Sequence, residues 1–536
     1  MTKTAESILD FFEKTAETFS DKTAFGDTKG EISFSALKES AERIASALFS
    51  LANLRRPVAL FMDRSIRIPA ALLGVLYSGN FYVPLDVEAP EERTKKILSS
   101  LEPAAILIDA ALGERADAIC QDYKGAKRII YEDAAGSQIN KEALFCMREK
   151  IVSSDPAVAI FTSGSTGMPK GCLISHANIT AYIAWFTGRF EIDEKTVFGA
   201  QTPFYFSMSL SDTFSVLYAG ASYHIVPKFY FTFPGALVPY LDERKINALY
   251  WVPSAYGILA KLDLFSYGKP KYLKKLLFAG EVMPVKTLRY LRSYLPEALY
   301  ANLFGPTETT DICGYYVVDR EFAEGESLPL GKACENCRLF LVDEAGREIV
   351  EAGKEGELYA AGPFVALGYY RNAEKTREAF VQNPLQDAYP EIVYRTGDLA
   401  KYGDSGLLLY VGRKDFQIKR MGYRIELGEI EAAMSAAEGV GGAVCLYDGE
   451  KDRLILFCET DADNVSRIAK TAKARLPAYM LPDKIVALPA FPLNANGKTD
   501  RLRLKKEWMG GDQNENDKKT SRFPLNRGGK SARKPR

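Results

Sequence analysis

Histidine is nearly missing from this chain: His176 and His224 are the 2 among 536 residues. That scarcity leaves little material for imidazole base catalysis or for a histidine-rich metal centre. Cysteine is sparse too, with 8 residues scattered along the chain, which argues against a disulfide framework. Cys334 and Cys337 in ACENC have metal-ligand spacing, but no second CxxC or His cluster stands near them. The expectation there is two small residues entering the strand RLFLVD. Neither sign of charge is in excess, because Lys+Arg and Asp+Glu are both 69. Such balance gives no support for nucleic acid or a membrane surface as the main partner. No apolar run approaches the roughly 20 residues of a membrane-crossing helix. The opening MTKTAESILDFFEKTAETF lacks the basic start and apolar block of a signal peptide, so a cytoplasmic location is expected.

What is present reads as an ordinary globular protein, 47% hydrophobic and 26% charged. The length suggests two to four domains. SALKESAERIASALFS predicts an amphipathic helix with Leu37, Ile44, Ala45 and Leu48 on one stripe. RPVALFM, PAAILID and PAVAIFT predict short buried strands, and strands separated by helices predict α/β layers. The expected fold is α/β: a large N-terminal body of mainly parallel sheets over 1–414, then a small mobile α+β domain over 415–508. Residues 509–536 carry almost no apolar side chains and are basic toward the end. They are expected to form a disordered tail.

Five segments carry chemistry. Thr162, Ser163, Gly164, Ser165, Thr166, Gly167 and Lys170 form a Gly/Ser/Thr loop ending in a lysine, directly after a buried strand. Backbone N–H groups, hydroxyls and an ammonium suit a polyphosphate. The common P-loop is excluded, because Pro169 precedes Lys170 and Gly171 follows it. Asn302, Leu303, Phe304, Gly305, Pro306, Thr307 and Glu308 join an aromatic, a turn, a hydroxyl and a carboxylate. These could stack on a base and hold Mg²⁺, or they could be a core Phe beside a turn. Asp398, after Gly397, could accept both hydroxyls of a ribose or simply sit in a hairpin. GRKDFQIK continues to GYRIELGEIE, and PLNANGKTDR sets Lys498 on a polar loop.

Together, in this order, these segments resemble the adenylate-forming superfamily. They are most similar to amino-acid adenylation domains of nonribosomal peptide synthetases and to D-alanine–carrier protein ligases. The resemblance implies ATP-dependent activation of a small carboxylic acid and transfer to a thiol, and RIELGEIE with the Gly-Lys-x-Asp-Arg ending points to the amino-acid branch. It implies that Thr162 to Lys170 grip the β,γ-phosphates and that Phe304 stacks on adenine beside Gly280 and Glu281. Thr307 would touch the α-phosphate, Glu308 would bind Mg²⁺, and Asp398 would hold the ribose with Arg413 close by. Asp415 would be the hinge, Lys498 would bridge the substrate carboxylate and the α-phosphate, and Gly422 would line the tunnel for the thiol. The ionised acid needs no general base, which fits the scarcity of His.

Relatives that bind α-amino acids place an Asp in a Phe-Asp-x-Ser segment. Here the segment is Phe206, Ser207, Met208 and Ser209, so a serine replaces it. The same correspondence lines the pocket with Met208, Ser211, Ser254, Leu277, Ala279, Leu303, Asp311 and Ile312. Asp311 is then the expected recogniser of a positive group on the substrate, unless it caps a turn or pairs with a nearby Lys or Arg. Too little sequence follows Lys498 for a carrier module, so the expected thiol belongs to a separate carrier protein or to coenzyme A. An aryl- or short-acyl–coenzyme A ligase is the alternative, and a catalytically inactive nucleotide-binding regulator is a third reading.

Overall fold

The computed structural model describes residues 7–51, 54–120, 123, 125–164, 168–449, 451–492, 499–509 and 520–522. The chain divides into two compact units. The larger comprises Met1–Val87, Leu98–Thr162 and Lys170–Asp415; the smaller comprises Glu88–Ile97, Ser163–Pro169 and Phe416–Arg536. The division follows packing rather than chain continuity, so two short stretches from the first 414 residues group with the smaller unit.

Three sheets build the larger unit among the described residues. In the first, Thr23–Gly26, Ser222–Ile225, Val197–Ala200, Ala248–Trp251, Lys275–Ala279 and Leu299–Phe304 run parallel. Antiparallel strands finish both of its edges. In the second, Pro156–Thr162, Phe81–Pro84, Pro57–Phe61, Ala105–Ile108 and Lys127–Ile130 run parallel. Lys170–Ser175 and Gly368–Tyr369 add antiparallel strands. The central strands are continuous apolar runs because both faces are covered: Pro57–Phe61 and Ala105–Ile108 are buried throughout. Helix Phe34–Leu48 carries the expected stripe, with Leu37, Ile44, Ala45 and Leu48 buried. It crosses helix Arg67–Tyr77 so closely that a Cβ at Gly74 would lie 2.6 Å from Ile44 Cγ2.

The third sheet is antiparallel and was not foreseen as a separate layer. Arg338–Val342, Glu355–Ala361, Ile392–Tyr402 and Leu408–Arg413 are its main strands. Ile392–Tyr402 and Leu408–Arg413 mix buried with half-buried and exposed positions, a weaker sequence signal than a buried parallel run.

The smaller unit holds the hairpin Gln417–Arg420 and Tyr423–Glu426. Met421 and Gly422 make its turn, both at positive φ. A separate sheet pairs Ala443–Asp448 with Arg453–Glu459 and then Lys484–Leu488. Helices Leu427–Ser435 and Val465–Arg475 pack on it through Ile430, Met434 and Ile468. Thr520–Arg522, inside the stretch expected to be a disordered tail, forms an edge strand on Lys484–Leu488. Ladder bonds use backbone alone, so an open edge can pair with a segment lacking apolar side chains. Among the described residues, no helix is long and apolar enough to cross a membrane.

Candidate active site

The strand Pro156–Thr162 turns back antiparallel into Lys170–Ser175, bringing Thr162 opposite Lys170. The loop between them needs glycine at 164, because a Cβ there would lie 2.1 Å from Met168 O. The Thr162 hydroxyl is buried and has no hydrogen-bond partner among the described residues. An orphaned donor at this place fits a phosphate oxygen. Lys170 Nζ donates to the Tyr369 hydroxyl at 3.0 Å and lies 3.6 Å from Glu308 Oε1. Tyr369 in turn donates to Glu308 Oε1 at 2.6 Å. Glu308 is fully buried, and its hard oxygen atoms suit Mg²⁺.

Glu308 stands in a tight turn. Gly305 is required because a Cβ would lie 2.2 Å from Asp311 O. Thr307–Thr309 form one 3₁₀ turn, and Thr310 (φ 66°) and Asp311 (φ 151°) follow at positive φ. Non-glycine residues seldom hold such backbone, and the surroundings must over-determine it. The turn faces two ways. Glu308 meets Tyr369 and Lys170, while Thr307 Oγ1 reaches Ser207 Oγ at 3.4 Å.

Asp311 is buried inside a ring of hydroxyls. Ser211, Tyr250 and Tyr182 donate to its Oδ2 at 2.6, 3.0 and 3.1 Å, and Ser207 donates to Oδ1 at 3.3 Å. Ser207 and Ser211 lie one helical turn apart at the start of helix Met208–Ala219. Desolvation pushes the Asp311 carboxyl up to about 6, against the downward pull of those hydrogen bonds. Next along that helix, burial holds the Asp212 carboxyl well above its usual range, with Arg64 opposing. Asp311 neither caps a turn with its side chain nor pairs with a Lys or Arg among the described residues.

Asp398 and Arg413 face each other on neighbouring strands of the third sheet. Arg413 Nη1 donates to Asp398 Oδ1 at 2.8 Å. Its Nε and Nη2 grip both oxygens of Asp415 at 2.7 and 2.8 Å. One guanidinium thus ties the expected ribose carboxylate to the expected hinge residue.

Other expected positions fall as follows. Leu277 and Ala279 share one face of their strand, and Ala279 pairs with Leu303 on the next. All three are buried, as are Met208 and Ile312. Phe206 is half-buried against Tyr205, its ring centroid 5.1 Å away. Phe304 packs with Cys313, Leu330 and Leu341. Asn302 donates to Pro329 O. Gly280 holds φ 90°, and Glu281 accepts the Ser254 N–H at 2.9 Å, capping helix Pro253–Lys261. Ser163 is buried and donates to Arg424 O. Ser165, Thr166, Gly167 and Lys498 lie outside the described residues.

Asp500 N bonds Pro492 O at 2.7 Å. Arg501 makes a two-pronged pair with Glu431, both contacts 2.7 Å. Glu431 of the RIELGEIE segment therefore anchors Arg501. Cys334 is buried and Cys337 partly so. Among the described residues, no group of three His, Cys, Asp or Glu could hold a metal.

Sequence reading missed Tyr182, Tyr250 and Tyr369. A signal existed: each is a tyrosine in or beside an apolar element, and a buried phenol needs a partner for its hydroxyl.

Mainly parallel sheets, an antiparallel sheet, a glycine/hydroxyl loop and a small α+β unit are the parts of an adenylate-forming enzyme. The family model described as AMP-binding enzyme matches residues 12–370. The chain belongs to that family, whose adenylate-forming members act on ATP. It is 35% identical to an L-proline–[L-prolyl-carrier protein] ligase of Streptomyces coelicolor over 86% of this chain and 90% of that protein. It is 32% identical to a D-alanine–D-alanyl carrier protein ligase of Bacillus cereus over 93% and 99%. A solved structure of holo-PA1221, a nonribosomal peptide synthetase protein with adenylation and carrier domains, matches with TM-score 0.79 and 25% identity, over 94% of this chain and 84% of that one. IdnL1 matches with TM-score 0.77 and 26% identity, over 92% and 100%.

Proposed function

We propose that this enzyme activates a small amino acid as its acyl-adenylate and passes it to the phosphopantetheine thiol of a separate carrier protein. One observation carries the reading. The turn at Thr307 and Glu308 meets Tyr369 and Lys170 on one side and Ser207 and Asp311 on the other, which supports a phosphate side and an acid side.

In the first half-reaction a substrate carboxylate oxygen attacks the α-phosphorus of ATP. The bond from that phosphorus to the bridging oxygen breaks, and pyrophosphate leaves. An amino acid's carboxyl, with a pKa well below 7, is already ionised, so the obstacle is one anion approaching another. Lys170 would neutralise the departing pyrophosphate, and Thr162 would donate to it. Lys498 would bridge the carboxylate and the α-phosphate. Asp398 would accept the ribose hydroxyls, oriented by Arg413. Mg²⁺, when bound, supplies charge neutralisation on the phosphates, and Glu308 would hold it. In the second half-reaction the thiol sulfur attacks the acyl carbon, its proton goes to solvent, and AMP leaves. Lys498 belongs to the segment after Asp415, so movement there would let it enter for one step and withdraw for the next. Supply of ATP favours the cytoplasm as the place of action.

The test is radiolabel transfer from an amino acid to a phosphopantetheinylated carrier protein, with ATP present. Loading of the carrier over coenzyme A supports the reading. Loading of coenzyme A alone would favour the second reading, an acyl–coenzyme A ligase, which the neutral Ser207 keeps in view.

A further inference from the structure

We infer that Oδ1 of Asp311 receives the ammonium of the acid being activated, and that this ammonium lies beyond the α-carbon; the inference rests on the ligase reading above. The two oxygens of Asp311 are unequally engaged. Three hydroxyls converge on Oδ2 at 2.6 to 3.1 Å, while Oδ1 has Ser207 alone, at 3.3 Å. That is long for an O–H···O bond. A carboxylate offers about four lone-pair sites, so Oδ2 is crowded and Oδ1 keeps acceptor capacity.

Charge points the same way. A buried carboxylate without a cation is unfavourable, and hydroxyl donors relieve only part of that cost. Among the described residues no Lys or Arg pairs with Asp311. A cationic group on a ligand would complete the site. The carboxylate is also held still: its donors come from helix His176–Arg189, helix Met208–Ala219 and strand Ala248–Trp251, or from the residue just before the second helix. Rigid placement of one charge lets a site distinguish where a ligand carries its own.

Position then selects the substrate class. Thr307, on the reacting side, reaches Ser207, and Ser207 reaches Asp311. The anion therefore stands one hydroxyl deeper than a side chain at position 207 would place it. An α-ammonium, fixed two bonds from the carboxyl carbon of an acid held beside Thr307, would fall at Ser207, which offers only a neutral hydroxyl. One or two further carbons carry the nitrogen past Ser207 to Oδ1. The class is β- or γ-amino acids.

The experiment is pyrophosphate exchange over three matched sets, α-amino, β- or γ-amino, and amine-free acids, both alkyl and aryl. Wild type, Asp311→Asn and the double variant Ser207→Asp with Asp311→Asn are compared, each checked for folding by thermal melting. Wild type is expected to favour β- or γ-amino acids at least tenfold. Asp311→Asn should lose these about a hundredfold, far more than it loses amine-free acids. The double variant restores a carboxylate nearer Thr307 and should shift preference to α-amino acids. Wild-type preference for α-amino or amine-free acids would overturn the inference and leave the ligase reading standing. So would an unchanged profile in a folded Asp311→Asn enzyme. No exchange with any acid would overturn the ligase reading, and this inference with it.

Discussion

The Tyr369 hydroxyl lies 2.6 Å from Glu308 Oε1 and donates to it. The two residues are 61 positions apart in the chain. The same phenol accepts from Lys170 at 3.0 Å, and the Lys170 ammonium stands 4.6 Å from its ring centroid. Tyr369 is thus a positioning residue for a carboxylate and a lysine proposed to face ATP.

Tyr369→Phe should keep the ring and the cation–π contact but free Glu308 of one donor. Losing a hydrogen bond to a buried charge costs about 1–3 kcal/mol, roughly fivefold to a hundredfold in rate. The expected result is lower kcat/KM for ATP and a raised Mg²⁺ requirement, with KM for the acid little changed. An unaltered Mg²⁺ titration would count against the positioning role.

Arg413→Lys should separate Asp398 from Asp415, because an ammonium cannot reproduce three directed guanidinium bonds. KM for ATP is expected to rise about tenfold, while exchange at saturating ATP changes less. A normal KM for ATP would mean that Asp398 needs no such orientation.

Lys498→Ala should reduce adenylate formation roughly a hundredfold or more, as expected for a charge contact made mainly in the transition state. Thioester formation from preformed acyl-AMP should suffer far less. Glu431→Gln, which weakens the two-pronged hold on Arg501, should reproduce part of that loss. Equal loss in both half-reactions would contradict the assignment.

His176 governs part of the acid stability. Burial lowers its pKa to about 4, against the raising influence of Asp155, and its Nδ1 has no partner among the described residues. The folded state refuses a proton that the unfolded chain accepts below its value near 6.5. This stability is fully present above about pH 6.5 and is lost as pH falls toward 4, by about 3 kcal/mol at most. Thermal midpoints measured from pH 7.5 to 4.5 should fall less steeply for His176→Gln than for wild type. Parallel curves would remove His176 from the explanation.

Much of the body was legible because buried parallel strands are continuous apolar runs and helix Phe34–Leu48 has a regular stripe. The glycine/hydroxyl loop and the turn at Gly305 were legible because backbone geometry restricts residue choice there. The hydroxyl ring around Asp311 was not. Tyr182 is 129 residues from Asp311 in the chain and Tyr250 is 61, and no local period encodes such meetings. The same holds for Tyr369 and Glu308. Asp311 stood out by composition, as a carboxylate among apolar positions. Its uneven engagement became visible only with the oxygens placed.

Acid-dependent exchange of labelled pyrophosphate into ATP by the full chain tests the central claim most directly. Exchange should need an amino acid and Mg²⁺ and release no ADP. Exchange absent with every acid, or ATP cleaved to ADP and phosphate instead, would contradict it.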